Sequence, residues 1–293
     1  MASRTPLTDL TLSAVSTADE MGFVALHDLS CAMSDKPRDS YRVIGGHMMT
    51  ALAARWGLGA DLYRETGDAD VGVPPVTIRD QNLVEDLLAL GYKKVSGSRF
   101  ERELSDLQLR MTGSDAVVPR SVIDILLPAY TSRPHENKRV GDSIVATETL
   151  GLATALMRAP VAMNLHLWRL DGSKLEGNLL FPDEVAALAL KALVTTVRSK
   201  DTDVVDLWRC LEICQAAGVT PGEFVTNDDL IRAATIIRRL FAERDGYGMR
   251  ELTAYHGLSS TGTDQRHTRI RALIVSVLGD SRSPTGGATA TPW

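Results

Sequence analysis

Three cysteines in 293 residues, Cys31, Cys210 and Cys214, are too few for a disulfide framework. The last two stand four residues apart on a largely apolar helical stretch and read as buried thiols. None of the six histidines lies near them in sequence, which argues against a zinc site. A reducing compartment is the expectation. Long apolar runs are missing too: nothing approaches the roughly 18 residues that a membrane span needs, and the first residues lack a charged stretch followed by an apolar one. A cytoplasmic protein with no membrane partner is therefore expected. Nor is there a basic excess. With 32 Lys and Arg against 37 Asp and Glu, the net charge of -5 excludes non-specific coating of nucleic acid. One stretch departs from that balance: Arg232, Arg238, Arg239, Arg244, Arg250, Arg266, Arg269 and Arg271 outnumber Glu243, Asp245, Glu251 and Asp264. They form either a solvated charged face or a nucleic-acid footprint. No internal repeat is visible.

What is present is an ordinary globular composition, 44% apolar and 24% charged, in a chain longer than most single domains. Residues 17–33 have helical period, opened by Thr17 as N-cap with Glu20 three residues on. No element is expected before them. Residues 41–44 read as a short strand running into Gly45-Gly46, with a helix from His47 to Trp56. Residues 68–73 alternate as a half-buried strand. Helical period follows over 77–90, a hairpin or meander over 93–111, and a strand over 121–127 that is apolar on both sides except at Asp124. Two alternating segments about Asp171-Gly172 give a hairpin signal. Beyond Pro182 the texture is helical, with helices over 183–198, 202–218 and 227–246. The expected plan is α/β (α+β): a mixed domain over 1–182, a helical domain over 183–280, and a disordered tail over 281–293 rich in Ser, Thr, Gly and Pro.

Asp124 is the least expected residue. A carboxylate at the centre of an apolar strand is costly unless a cation pairs with it. Asp68 and Asp70 share one strand face, about 7 Å apart at Cα from the strand rise. Three carboxylates from two strands are oxygen ligands for Mg²⁺ or Mn²⁺, the hard-cation chemistry of phosphoryl transfer. Gly45-Gly46 before a helix lets backbone N–H groups approach a triphosphate. Lys191 projects from an apolar helix face, among Ala187, Leu188, Val194 and Thr195, and needs an anion. Arg198 and Lys200 add candidate phosphate contacts, while Asp201 and Asp203 are expected to cap the helix they precede.

The order of strand, Gly-Gly, helix, Asp-x-Asp strand and a later strand bearing one Asp resembles the nucleotidyltransferase fold of the DNA polymerase β superfamily. Arg64-x-Thr66-x-Asp68-x-Asp70 is similar to the motif of AbiEii-type and MenT-type nucleotidyltransferase toxins. The resemblance covers roughly residues 40–210. It implies a mixed sheet with flanking helices followed by a helical lobe, and a site completed by Lys191 and by Asp206 fifteen residues later. Asp68, Asp70, Asp124, Lys191 and Asp206 would then be catalytic, with Asp206 orienting Lys191 or helping to position the acceptor. Gly45, Gly46, His47, Arg64, Thr66, Lys191 and Arg198 would bind the NTP. His47 replaces the small or hydroxyl residue often found there. The resemblance further implies a tRNA 3′ end as acceptor, contacted by the Arg-rich stretch, growth arrest as the outcome, and a cognate antitoxin as partner. A small-molecule acceptor of the aminoglycoside kind, or a protein acceptor, is the alternative.

Overall fold

The computed structural model describes residues 7–37, 39–59, 62–80, 82–105, 118–141, 144–198 and 201–280. The expected tail at 281–293, Lys200 and residues 106–111 of the expected meander lie outside them.

Among the described residues the first element is a strand, β1 (Thr8–Ser13), where none was expected. Its Leu10 and Leu12 alternate with Thr, Asp and Ser, but its partner lies about 150 residues away, so nothing local marks it. Helix α1 (Thr17–Ala32) is capped one residue earlier than expected. Ser16 accepts from the Asp19 amide, and the Val15 amide donates to Asp19 Oδ2 at 3.0 Å. Glu20 is instead buried, bound by Arg169 at 2.8 Å. Strand β2 (Arg42–Ile44) runs directly into α2 (Gly45–Arg55), so the Gly-Gly pair forms the first turn of the helix rather than a loop before it. Strand β3 (Asp68–Gly72) follows. The single helix expected over 77–90 is two, α3 (Pro75–Asp80) and α4 (Leu83–Ala89). Asn82 sits between them at φ 52°, a left-handed conformation that interrupts the helix and that asparagine tolerates better than most residues.

Strands β4 (Lys93–Ser96), β5 (Arg99–Glu103) and β6 (Arg120–Pro128) come next. A small ribbon of β7 (Lys138–Val140) and β8 (Ile144–Ala146) is followed by β9 (Glu148–Thr149), the short helix α5 (Leu152–Met157), and the expected hairpin of β10 (Val161–Trp168) and β11 (Lys174–Phe181). The main sheet has the order β2-β3-β6-β5-β4, with β9 beside the end of β6. Strands β3 and β6 are parallel at its centre, while β2 and β5 are antiparallel to their neighbours. A second sheet, β1-β10-β11, carries β1 parallel to β10. The fold is thus α+β with mixed sheets.

The last part is helical: α6 (Glu184–Val194), α7 (Asp201–Ala216), a 3₁₀ turn (Pro221–Val225), α8 (Asp228–Leu240), α9 (Tyr247–His256) and α10 (Ser260–Leu278). Asp183 and Asn227 cap α6 and α8 by accepting amides at 2.8 and 2.9 Å. Helix α6 is buried on every side from Glu184 to Leu193, as an almost wholly apolar helix requires. Cys210 and Cys214 are buried thiols on α7. The change to helical texture falls between β11 and α6, yet one hydrophobic cluster runs from Leu10 to Leu278. Among the described residues no helix is long and apolar enough to cross a membrane.

Candidate active site

The register of the central strands assembles the acids. Asp68 and Asp70 alternate with Ala69 and Val71, which are fully buried in the core, so both carboxylates leave the opposite face of β3. Asp70 is the direct partner of Asp124 across the parallel β3–β6 pair. Carboxylate oxygens of Asp68, Asp70 and Asp124 lie within 4.8 Å of one another. Burial, then the charges of Asp68 and Asp124, push the Asp70 carboxyl up to about 6, against the pull of Lys191 and Arg198. Three mutually repelling carboxylates at this spacing fit a divalent cation, since the oxygen donors of a hard metal are what they supply.

Asp124 differs from expectation in one respect. Its side chain is 21% exposed, because Asp124 and Leu126 line an open cavity, on the half-buried face of β6, rather than packing into a second layer of core. A cation does pair with it, but from the protein: Arg99, opposite it on β5, donates from Nε to Oδ1 at 3.0 Å and from NH2 to Oδ2 at 2.6 Å. Arg99 gave no signal in the sequence. Only the β5–β6 register brings it to Asp124.

The glycines at the start of α2 are fixed by close approach. Gly45 has φ +73°, and a Cβ there would meet Asp70 Oδ2 at 2.0 Å. One on Gly46 would meet Thr66 Oγ1 at 2.1 Å. No side chain fits between the helix start and the acidic strand. His47 goes elsewhere, because each helical residue turns about 100° from the last. It is buried beneath α1, where a Cβ on Gly22 would meet its Nε2 at 2.5 Å, and burial pushes its imidazole down to about 4. His47 is absent from the wall of the cavity onto which the acids open.

Another part of the cavity wall is cationic. Lys191 on α6 is 7% exposed and donates to Asp206 Oδ2 on α7 at 2.7 Å. Arg64 donates to the same oxygen at 2.8 Å and Arg209 to Oδ1 at 3.1 Å, with Arg209 also bound to the Tyr63 carbonyl at 2.9 Å. Burial acts to raise the Asp206 carboxyl, but Lys191, Arg64 and Arg209 outweigh it and hold it below the usual carboxylate range. Asp206 is wholly buried and off the cavity surface, a holder of cations rather than a group open to a ligand. Arg198 pairs with Asp203 at 3.2 Å, so Asp203 holds an arginine at the cavity edge.

Asp68, Asp70, Asp124, Gly45, Gly46, Arg64, Thr66, Lys191 and Arg198 thus share one cavity of about 740 Å³, whereas His47 and Asp206 do not line it. The C-terminal arginines are absent from its lining, and five of the eight have close partners of their own. Arg244 is bound to Asp245 and Asp264, Arg269 to Glu212, Arg238 to the Leu278 carbonyl, Arg250 to the Asp245 carbonyl, and Arg266 stacks 3.9 Å from the Trp208 ring centroid.

The fold and cavity therefore define an α+β protein with a carboxylate cluster able to hold a metal ion. No protein-family model matches the chain, and no curated protein matches it. One solved structure similar to it is an antigenic nucleotidyltransferase-like protein from Paracoccidioides brasiliensis, at 14% identity over 90% of this chain and 95% of that one, with a TM-score of 0.42. A likeness of that size leaves the chemistry to the side chains themselves.

Proposed function

We propose that the protein is a metal-dependent nucleotidyltransferase that moves a nucleoside monophosphate from an NTP to a hydroxyl acceptor. The observation that carries this reading is the meeting, in the wall of one cavity, of three clustered carboxylates and a lysine fixed by Asp206. Asp68, Asp70 and Asp124 are the residues to hold Mg²⁺ or Mn²⁺. Such an ion, once bound, supplies positive charge to the α-phosphate under attack and to the departing pyrophosphate.

The remaining work belongs to the chain. The α2 N-terminus, left open by Gly45 and Gly46, offers backbone amides to phosphate oxygens. Lys191 and Arg64 present charge that Asp206 only partly neutralises, and Arg198 extends the same wall; together they bind the triphosphate and orient it toward the acids. Thr66 packs against Gly46 and sets the approach of the helix start to β3. Asp124 either joins the metal ligands or takes the proton from the acceptor hydroxyl as its oxygen bonds to the α-phosphorus and the α–β anhydride breaks. His47 remains outside this machinery as a buried packing group.

For the acceptor, the tRNA 3′ end and a growth-arresting role opposite an antitoxin follow from the Arg64-x-Thr66-x-Asp68-x-Asp70 resemblance alone. A small-molecule hydroxyl acceptor has one observation in its favour: Glu65 and Glu136 line the cavity, while none of the C-terminal arginines does. Incubation of the protein with each labelled NTP, Mg²⁺ or Mn²⁺ and, in turn, total tRNA, an aminoglycoside or total protein tests both. Label at an RNA 3′ end supports the first, label on an aminoglycoside or on protein replaces it, and an absence of turnover of all four NTPs with every acceptor rejects nucleotidyl transfer.

A further inference from the structure

Arg99 occupies the place where a divalent cation would draw on Asp124. Its two hydrogen bonds engage both oxygens of that carboxylate, and its NH2 stands 3.9 Å from Asp68 Oδ2. Register builds this in, since Arg99 and Asp70 are the partners of Asp124 on its two sides. The arginine side chain is 43% exposed and lines the cavity, so it can turn away without disturbing the core.

Without a cation, three carboxylates within 4.8 Å repel one another. A guanidinium fork matches a carboxylate in shape and neutralises one charge of the three, leaving a site that still attracts a divalent ion. Once that ion sits among the acids, its charge repels the guanidinium a few ångströms away, and the two cations contend for the same oxygens.

We propose that Arg99 is a resident counter-ion that competes with the divalent cation for Asp124, keeping the cation-free acids assembled and turning out into the cavity when metal loads. The proposal rests on the metal site of the nucleotidyl-transfer reading. Arg99 acts through Asp124 and is a positioning residue. Its presence makes the free protein bind metal more weakly than three unopposed carboxylates would, so that firm retention awaits the oxygens of a triphosphate.

The test is titration of the full chain with Mn²⁺ alone, read by electron paramagnetic resonance, for the native protein, Arg99→Lys, Arg99→Gln and the double variant Arg99→Gln with Asp124→Asn. Arg99→Gln is expected to tighten Mn²⁺ binding about twofold to fivefold, in line with a half-exposed ion pair. Arg99→Lys should tighten it less, and Asp124→Asn should remove the gain. In native protein, the Arg99 Nε–H resonance should shift on Mg²⁺ addition, a readout that needs no variant to fold. Equal or weaker Mn²⁺ binding by Arg99→Gln, or an Nε–H resonance that ignores Mg²⁺, overturns the competition and leaves the metal site standing. Failure of both native protein and Arg99→Gln to bind Mn²⁺ overturns the competition and the metal-dependent reading together.

Discussion

On the strand wall of the cavity three carboxylates face one arginine, whereas behind the helix wall one buried carboxylate holds two arginines and a lysine. The same residue type responds in opposite directions. Asp70 is pushed up to about 6 by burial and by its acidic neighbours, and Asp206 is held low by cations that overcome its burial. Such paired imbalances are costly in an empty protein and disappear when a cation meets the first wall and a polyanion the second. A metal–triphosphate complex carries both charges. On the proposed reading the cavity suits a ligand with two poles, and neither group of residues alone specifies it.

The largest expected effect comes from removing an acid of the strand wall. Asp68→Ala should lower NTP turnover by about 10³-fold or more, as loss of a metal ligand does. The melting temperature should stay level or rise, because a partly exposed charge among like charges has gone. A matching loss of fold would mean that the acids are structural. On the helix wall the order reverses. Asp206→Ala leaves buried cations unpaired and should cost about 3–5 kcal/mol in chemical denaturation. Asp206→Asn, which keeps the shape, should fall between it and the native protein. If Asp206→Ala unfolds at the native denaturant midpoint, the cation cluster is not held by this carboxylate.

A smaller effect tests the seam between the walls. Gly45→Ala forces a methyl group to 2.0 Å from Asp70 Oδ2 at φ +73°, and should cost about 1–3 kcal/mol while weakening Mn²⁺ binding. Native metal affinity in that variant would break the link between helix start and acid cluster. The smallest effect concerns His47, which belongs to neither wall. Burial lowers its folded value to about 4 from 6.5, so the folded protein keeps it neutral while the unfolded chain takes up a proton below about pH 6.5. Stability is therefore lost as pH falls from about 6.5 toward 4, by about 2 kcal/mol at pH 5. His47→Gln should flatten that slope in denaturation curves measured from pH 7 to 5, and an unchanged slope would contradict the burial argument.

The acid strands, the Gly-Gly helix start and the 161–181 hairpin were legible because each carries a local signature: alternation, a glycine pair, an Asp-Gly turn. Strand β1 was not, since its partner β10 is remote and its six residues could as well have been a loop. The α1 cap was misread by one residue because Ser16 and Thr17 are both capping types, and only the backbone bonds of Val15 and Asp19 decide between them. Asp124 drew attention as a buried charge. Its side chain in fact faces a cavity, and the residue that compensates it, Arg99, is visible only through cross-strand register. The same limit applies to His47, whose neighbours in the chain lie at the cavity while helical rotation turns its ring to the other side. Local pattern revealed which residues are unusual, and tertiary pairing determined what each one faces.

The central claim is that one cavity binds a metal and a triphosphate together, each strengthening the other. Its most direct measurement is a Mn²⁺ titration of the native protein with and without a non-hydrolysable nucleoside triphosphate, each ligand's affinity being read in the presence of the other. The two ligands should tighten each other's binding by an equal factor, as linkage requires. A triphosphate that binds as well in excess chelator as in saturating Mn²⁺ would contradict it.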